Sequence, residues 1–266
     1  MARSDGVEDL MARVFVTGSA DGLGLMVGRL LAEQGHRVVL HARSEARAGD
    51  THAAVPQGEA VLVGDVSTLA AMHDVAGQAN DRGRFDAVIH NVALGYREPR
   101  RVETVDGLCQ LWAVNVLAPY VLTALMRKPG RLVYMSSGMH LGGDPSLSDP
   151  QWAARRWNGS RAYSDTKLHD MLLAFGVARR WPDVLVNAVS PGWVATRMGG
   201  RGAPDDLDQA HRTQAWLAVS DEVAALGSGG YFYHQQPADV HPAARDPGLQ
   251  ARLLDYCGDV SGVALG

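Results

Sequence analysis

Short apolar runs alternate with longer amphipathic segments along most of the chain. The runs are rich in β-branched, aliphatic and aromatic residues and stop at glycine or polar residues, which is typical of buried strands. The amphipathic segments repeat apolar residues at helical spacing. Strands connected by helices of about ten residues or more form parallel sheets with right-handed crossovers. Residues 13–266 are therefore predicted to form one α/β domain with a doubly wound parallel sheet flanked by helices.

The positions of these runs predict the individual elements. Strands are expected at 13–17, 37–41, 59–63, 86–90, 131–135, 184–189 and 231–233. Helices are expected at 25–34, 68–80, 105–128, 160–181, 209–219 and 249–257, with Ser67 as an N-cap and Pro119 as a kink. Glycine and proline make 138–159 and 196–208 irregular, the latter as a mobile segment over a site. Residues 1–12 are predicted to be an N-terminal extension.

Composition narrows the classes of function. Of 266 residues, 46% are hydrophobic and 20% charged, as in ordinary globular proteins, and the net charge is -4. No basic patch with interleaved aromatics exists, so no nucleic-acid partner is expected. No apolar run has the length of a membrane span, and 1–12 lacks a secretory signal. The two cysteines, Cys109 and Cys257, suit a reducing compartment, and the histidines form no metal-binding pattern. We expect a cytoplasmic protein without a metal or membrane partner.

A glycine-rich turn separates the first strand from the first helix. It reads Gly18-Ser19-Ala20-Asp21-Gly22-Leu23-Gly24. Backbone amides of such a turn and the N-terminus of the following helix can hold a phosphate, whereas the alternative is a simple strand-to-helix turn. The flanking strand and helix favour dinucleotide binding of Rossmann type. The predicted cofactor contacts in this turn are Gly18, Asp21, Gly22, Leu23 and Gly24.

The end of the second strand bears on the choice between NAD and NADP. NAD-binding proteins place a carboxylate there for the ribose hydroxyls, but this chain reads His41-Ala42-Arg43-Ser44. Arg43 can pair with a 2′-phosphate, so NADP is favoured and NAD is the alternative. Asp21 counts against NADP because it lies near the same phosphate, and a solvated Arg43 without a ligand is the other interpretation.

Tyr163 and Lys167 lie four positions apart on a predicted helix, so their side chains lie on the same face. An ammonium beside a phenol favours the phenolate, so we expect a lowered pKa for Tyr163. An amphipathic surface helix is the alternative for this pair alone. Parallel strands end at one edge of a sheet, so the polar strand ends should share one crevice with this pair. These ends carry Asp65, Val66, Asn91, Val92, Ala93, Ser137, Pro191 and Gly192.

With these motifs the chain resembles the short-chain dehydrogenase/reductase family from about residue 13 to the C-terminus. The resemblance rests on Thr17-Gly18-x-x-x-Gly22-x-Gly24, Asp65-Val66, Asn91-Val92-Ala93, Asn115, Ser137, Tyr163-x-x-x-Lys167 and Pro191-Gly192. The wide gap between Ser137 and Tyr163 and the stretch Ser136-Ser137-Gly138-Met139-His140 look like the retinol-dehydrogenase-like branch. One departure is Ala93, where the family usually has glycine, so we expect a small local adjustment there.

The resemblance implies an oxidoreductase that transfers a hydride between NADP(H) and a small carbonyl or alcohol substrate. Tyr163 would be the general acid or base, Lys167 would lower its pKa and hold the nicotinamide ribose, and Ser137 would polarise the substrate oxygen. Asn115 would bind a relay water through its backbone. The implied cofactor contacts are Asp65 and Val66 at the adenine, Asn91, Val92 and Ala93 at the adenosine, and Pro191, Gly192 and Val194 along the nicotinamide. Thr196 would contact either the nicotinamide carboxamide or the pyrophosphate. In this family the helices with Asn115 and Tyr163 often form a dimer interface, but retinol-dehydrogenase-like members vary, so the resemblance leaves both a homo-oligomer and a monomer open.

Two alternatives remain. A dinucleotide-sensing or scaffold protein would share the fold without catalysis, although such relatives typically lose the tyrosine or the lysine. Nucleotide-sugar epimerases and dehydratases share Tyr-x-x-x-Lys but differ in glycine spacing. His140 and His169 are expected to be ordinary structural histidines. Trp152, Trp157 and Trp193 either wall an apolar substrate pocket or, for the first two, pack the long loop onto the domain.

Overall fold

Eight strands form one sheet in the order β3-β2-β1-β4-β5-β6-β7-β8 in the computed structural model, which describes residues 11–266. The predicted extension at 1–12 therefore falls mostly outside the described residues. The strands are β1 Arg13–Val16, β2 Arg37–Ala42, β3 Ala60–Val63, β4 Ala87–His90, β5 Arg131–Met135, β6 Leu185–Ser190, β7 Tyr231–Tyr233 and β8 Gln236–Pro237. All neighbouring strands pair in parallel except β8, which runs antiparallel to β7. The predicted doubly wound parallel sheet is confirmed.

The chain reverses direction across the sheet at one point. It runs outward from β1 through β2 to β3 and then returns to β4 on the other side of β1. Ligands on such sheets bind beyond the carboxyl ends of the strands at this reversal. The fold therefore places the glycine-rich turn after β1 next to the segment after β4.

Helices cover both faces of the sheet. They are α1 Gly22–Glu33, α2 Glu45–Ala54, α3 Leu69–Asp81, α4 Gln110–Trp112, α5 Ala118–Leu125, α6 Gly159–Arg180, α7 Leu207–Ala210, α8 Arg212–Val219 and α9 Pro247–Ser261. The larger core joins α3, α5, α6 and α9 to one face, and a smaller core joins α1 and α8 to the other. Within residues 11–266, none of these helices has the length and hydropathy to cross a membrane.

Three helix predictions need correction. Residues 45–54 form α2, which the pattern did not reveal because it buries only Thr51 and so has no apolar stripe. The N-cap of α3 is Thr68, whose hydroxyl accepts the Ala71 N–H at 3.2 Å, and not Ser67. The predicted helix 105–128 begins at Gln110 and ends at Leu125, and a π-helical turn over Ala113–Leu117 interrupts it ahead of Pro119.

Candidate active site

A cavity of about 820 Å³ lies along the carboxyl ends of the strands. Most of the predicted contacts line it: Gly18, Asp21, Gly22, Leu23, Gly24, Arg43, Asp65, Val66, Asn91, Val92, Ala93, Tyr163, Lys167, Pro191 and Thr196. The predicted residues Asn115, Ser137, Gly192 and Val194 do not line it. The structure adds further lining residues: His41, Arg47, Tyr96, Arg97, Gln110, Met135, Arg197 and Met198 among them.

The glycine-rich turn is closely packed at two of its glycines. Gly18 has a positive φ of 61°, and a Cβ there would lie 2.7 Å from Val92 Cα. A Cβ on Gly24 would lie 2.3 Å from the carbonyl oxygen of Gly18 and 2.4 Å from Asn91 Nδ2. The Asn91 amide in turn donates to the carbonyls of Thr17 and Gly18 at 3.2 and 3.1 Å. Substitution of either glycine would therefore deform the turn.

The N-terminus of α1 opens into the same cavity. Asp21 is its N-cap residue, but within the described residues its side chain makes no capping hydrogen bond, and the first turn carries no acidic residue. The first amides of a helix need an acceptor and carry partial positive charge. A helix start that lacks a side-chain cap and borders a glycine cradle fits the pyrophosphate of a dinucleotide.

His41 joins this turn to the end of β3. Its Nδ1 accepts the Gly18 N–H at 2.9 Å, and its Nε2 lies 2.9 Å from the Gly64 carbonyl oxygen. Burial lowers the pKa of His41, against the opposing effects of Gly64 and Asp65. A neutral ring with Nε2 protonated satisfies both hydrogen bonds, so His41 fixes the spacing between two strand ends that border the cavity.

A second arginine lies beside Arg43, where the cavity borders the end of β2. Arg47 on α2 donates to the Asp21 carboxylate at 2.9 Å and to the Ala20 carbonyl at 3.0 Å. Arg197 approaches the same carboxylate at 3.8 Å, and Arg43 is exposed at the end of β2. Sequence reasoning missed Arg47 because α2 was not predicted. Its spacing of four from Arg43 was the signal that could have shown it.

Tyr163 and Lys167 lie one turn apart on α6, as their spacing predicts. The Lys167 Nζ lies 5.5 Å from the centre of the Tyr163 ring. It donates to the Met135 carbonyl at the end of β5 and to the Asp170 carboxylate, both at 2.8 Å. Tyr163 is 5% exposed, so the helix face is buried and the surface-helix interpretation is wrong. The Tyr96 ring packs edge-on against the Tyr163 ring, with the two ring centres 5.8 Å apart.

The expected lowering of the Tyr163 pKa is not observed. Burial raises the pKa of Tyr163, and Asp170 raises it further, while Lys167 and Ser137 lower it. The balance lies above the ordinary value of a tyrosine. Burial by itself would lower the pKa of Lys167, but Asp170 and Tyr163 raise it, so the lysine is an ammonium. The sequence prediction omitted both the desolvation of the phenol and the carboxylate one turn further along the helix.

Asn115 and Ser137 hold the neighbouring backbone. Asn115 lies in the π-helical turn, which is a local widening often found at functional sites. Its side chain accepts the Leu94 N–H at 2.7 Å and donates to Thr166 Oγ1 at 3.0 Å, so it joins the segment after β4 to α6. Ser137 caps a short 3₁₀ helix by accepting the Met139 N–H at 3.2 Å.

The loop between Gly138 and Gly159 is organised around Asp165 on α6. The Asp165 carboxylate accepts the Asp144 N–H at 2.8 Å, the Trp152 indole N–H at 3.0 Å and the Arg155 guanidinium at 2.9 Å. The Arg155 guanidinium also lies 4.0 Å from the centre of the Trp152 ring. The packing interpretation of Trp152 is therefore the observed one, and a loop predicted as irregular is tied to the helix that carries Tyr163.

The other two tryptophans and the two histidines of the sequence analysis also make defined contacts or are buried. The Trp157 indole donates to the Glu98 carbonyl at 2.9 Å, while Trp193 is 53% exposed and donates to the Gly199 carbonyl at 3.0 Å. His140 and His169 are both buried. His140 Nδ1 lies 2.7 Å from the Ser137 carbonyl oxygen, so this histidine supports the strand end beside the site.

Residues 191–206, hereafter the covering segment, close the cavity near Tyr163. Three donors converge on the Gly199 carbonyl: the Trp193 indole at 3.0 Å, Arg97 at 3.3 Å and the Tyr96 hydroxyl at 3.5 Å. A Cβ on Gly95 would lie 2.8 Å from Met198 Cγ. The covering segment is thus packed directly on the residues that follow β4.

This chain is similar to several known proteins. The family model for enoyl-(acyl carrier protein) reductase matches residues 18–227. An uncharacterized oxidoreductase of Emericella nidulans is 46% identical over 96% of this chain and 99% of its own length. A short-chain dehydrogenase of Penicillium rubens is 38% identical over the same 96% and 99%. A blue fluorescent protein from a metagenomic library, solved with NADPH, has a TM-score of 0.67 at 20% identity, covering 83% of this chain and 95% of that one.

The match to the family model spans most of the chain, and the similarity to the two fungal relatives extends over nearly its whole length. The glycine cradle, the strand-end cavity and the buried tyrosine and lysine are consistent with that assignment. The chain therefore belongs to the short-chain dehydrogenase/reductase family and is an NAD(P)-dependent oxidoreductase.

Proposed function

We propose that this protein interconverts a carbonyl and an alcohol with NADP(H), and that Tyr163 is its general acid and base. The observation that carries the proposal is the Lys167 ammonium 5.5 Å from the Tyr163 ring in the cavity bordered by the glycine cradle. A nicotinamide cofactor supplies or accepts the hydride, so the protein itself has to manage one proton and the charge on the substrate oxygen.

Tyr163 is the residue suited to that proton. In carbonyl reduction its phenol would donate the proton to the substrate oxygen, and in alcohol oxidation the phenolate would remove it. The Lys167 ammonium stabilises the phenolate, because it holds positive charge beside the ring in a site with little water. The Ser137 hydroxyl would donate to the substrate oxygen as negative charge develops there.

The two arginines at the adenosine end support NADP as the cofactor. Guanidinium groups bind phosphates through paired N–H groups, and both Arg43 and Arg47 line the cavity. Asp21 pairs with Arg47 and would stand near a 2′-phosphate, which is why NAD remains the alternative to test. NADPH in the solved structure described above is consistent with this choice.

The proposal is tested with Tyr163→Phe. We expect cofactor binding, followed by NADPH fluorescence, to survive, while turnover on a panel of aldehydes, ketones and quinones is lost. Tyr120→Phe is the matched control, because that phenol is also buried but donates to the Val263 carbonyl outside the cavity. Unchanged turnover by Tyr163→Phe would disprove the role of Tyr163. Cofactor binding without turnover of any panel member by the wild type would favour the dinucleotide-sensing alternative.

A further inference from the structure

The helix that carries Tyr163 and Lys167 presents a third ionisable residue on the same face. Tyr163, Lys167 and Asp170 stand at positions i, i+4 and i+7 of α6, which place their side chains along one stripe. Every residue of α6 from Ala162 to Val177 is buried. A carboxylate in such a stretch lacks water, so it needs a partner within the protein.

Lys167 is that partner. The Lys167 Nζ lies 2.8 Å from Asp170 Oδ2, and the two side chains are 2% and 3% exposed. Among the ion pairs of residues 11–266, it is the pair in which both side chains are less than 5% exposed. The ammonium has three N–H donors, and the bonds to Asp170 and to the Met135 carbonyl use two of them. One donor is left for a ligand in the cavity that Lys167 lines.

The ionisable groups that face Asp170 from other elements are neutral. Tyr134 on β5 and Cys257 on α9 face Asp170, and burial, with a smaller effect of the Asp170 carboxylate, raises the pKa of both. Two ionisable groups face Tyr163 from other parts of the chain: Tyr96 in the segment after β4, and Tyr231 on β7. Lys167 is thus the cation that faces both Asp170 and Tyr163 in the described part of the chain, and its charge is divided between them.

We propose that Asp170 is a positioning residue that holds the Lys167 ammonium against the carboxyl end of β5 and balances its charge beside Tyr163. The inference rests on the proposed function, because it assigns Lys167 a role in tuning Tyr163. The geometry has a definite electrostatic consequence. Burial raises the pKa of Asp170 to about 7, against the lowering effect of the Lys167 ammonium, so the ion pair is fully formed above that pH. There, a neutral Lys167–Asp170 pair favours the phenolate less than an uncompensated ammonium would, and the carboxylate itself repels the phenolate.

Asp170→Asn tests this proposal, because it removes the charge and keeps the shape. The uncompensated ammonium should then favour the phenolate, so the pKa of Tyr163 should fall. We expect the pH profile of kcat for carbonyl reduction to move by about one pH unit toward lower pH. Asp170→Glu keeps the charge and should restore a profile close to that of the wild type, with a lower kcat. A merely structural role would reduce kcat or the folded fraction without moving the profile.

Asp165→Asn is the matched control. It removes another buried carboxylate from α6, but one that faces the loop residues Asp144, Trp152 and Arg155. It should change stability and leave the pH profile in place. An unmoved profile for Asp170→Asn, or one moved toward higher pH, would overturn the proposal. Asp170→Ser is the second charge-removing variant, and failure of both to fold while Asp170→Glu folds would assign Asp170 to stability alone.

A second readout separates this inference from the proposed function. Ultraviolet difference titration of the phenolate, with Tyr163→Phe as the subtraction reference, reports the ionisation of Tyr163 without any turnover. A lower pKa in Asp170→Asn supports the inference even if no substrate is found. Loss of turnover in Tyr163→Phe together with an unchanged titration in Asp170→Asn would leave the proposed function standing and overturn the role of Asp170.

Discussion

The sulfur of Met198 lies 3.8 Å from the phenol oxygen of Tyr163. Met198 belongs to the covering segment, so a side chain from that segment stands where a substrate oxygen must approach the proposed acid. The hydrogen bonds from Arg97 and Tyr96 to the Gly199 carbonyl hold this segment on the residues after β4. If Tyr163 is the acid, as proposed, substrate binding requires Met198 to move.

Met198→Ala should open the space in front of Tyr163. Loss of three heavy atoms from a flexible side chain enlarges the substrate end of the cavity, so bulky ketones should gain about tenfold in kcat/KM relative to small ones. Steady-state kinetics on a size series of ketones measures this change. Met26→Ala is the control, because Met26 lines the cavity from α1. Equal effects on small and large ketones would argue against a steric role for Met198.

Charge reversal at Arg43 should separate the two cofactors. Arg43→Asp places a carboxylate where a 2′-phosphate would lie, so NADPH should bind at least tenfold more weakly while NADH changes little. Arg47→Gln should also weaken NADPH binding, but by a smaller factor, because the Arg47 guanidinium already pairs with the Asp21 carboxylate. Fluorescence titration with both cofactors gives the two dissociation constants. The control is Arg179→Asp, an exposed arginine near the end of α6; comparable losses for NADPH and NADH would exclude reading of the phosphate by Arg43.

Removal of the Asp165 carboxylate should release the loop between α6 and β5. Asp165→Ala leaves the Trp152 indole, the Asp144 amide and the Arg155 guanidinium without their acceptor, so the free energy of unfolding should fall by about 3 kcal/mol. Urea unfolding measures the loss, and limited proteolysis should cut within 143–158 earlier than in the wild type. Asp221→Ala, which removes an exposed partner of Arg131, should leave both measurements unchanged. Unaltered proteolysis in Asp165→Ala would show that other contacts hold the loop.

The buried His90 should make the free energy of unfolding fall at acidic pH. It is buried at the end of β4, its Nε2 lies 3.0 Å from Thr123 Oγ1, and burial lowers its pKa to about 3. In the unfolded chain the ring takes up a proton near its ordinary value of about 6.5, so its stabilising effect is complete above that pH and is lost as the pH falls toward 3. Protonation of His90 in the unfolded chain should lower the free energy of unfolding by about 2 kcal/mol between pH 7 and pH 5.

Urea unfolding at several pH values tests this effect. His90→Gln retains an amide that can bond to Thr123 but does not titrate, so its free energy of unfolding should fall less steeply between pH 6.5 and pH 4 than that of the wild type. Parallel pH dependences for the two proteins would show that His90 is not the source of the slope. The fully buried His169, whose pKa burial lowers to about 4, should contribute equally to both proteins.

Some features of this protein follow from local sequence patterns, and others depend on tertiary contacts. The first seven strands, the glycine-rich turn and the helix with Tyr163 and Lys167 could be predicted, because each depends on residues close in sequence. Burial of an apolar run, a turn that needs glycine and a side-chain spacing of four are local properties. The family resemblance rests on the same short motifs, so it too was available from the sequence.

Other features could not be read locally. Helix α2 is polar and buries a single residue, so it has no apolar stripe to indicate a helix. Arg47 was missed because it lies on this helix. The π-helical turn at Asn115 depends on contacts with Leu94 and Thr166, which are distant in sequence. The loop at 138–159 has an irregular sequence, yet a single carboxylate on α6 organises part of it.

By itself the sequence determined an α/β fold of alternating strands and helices, a dinucleotide cradle at Gly18–Gly24 and a tyrosine four residues before a lysine on one helix face. Only the tertiary structure decided the environment of that pair: both faces of the helix are buried, Asp170 takes one bond of Lys167, and Met198 covers Tyr163. The physical reason is that spacing along a helix is a local property, whereas desolvation and charge balance depend on every element packed around the site. That is why the expected direction of the Tyr163 pKa was wrong although the residue was correctly placed.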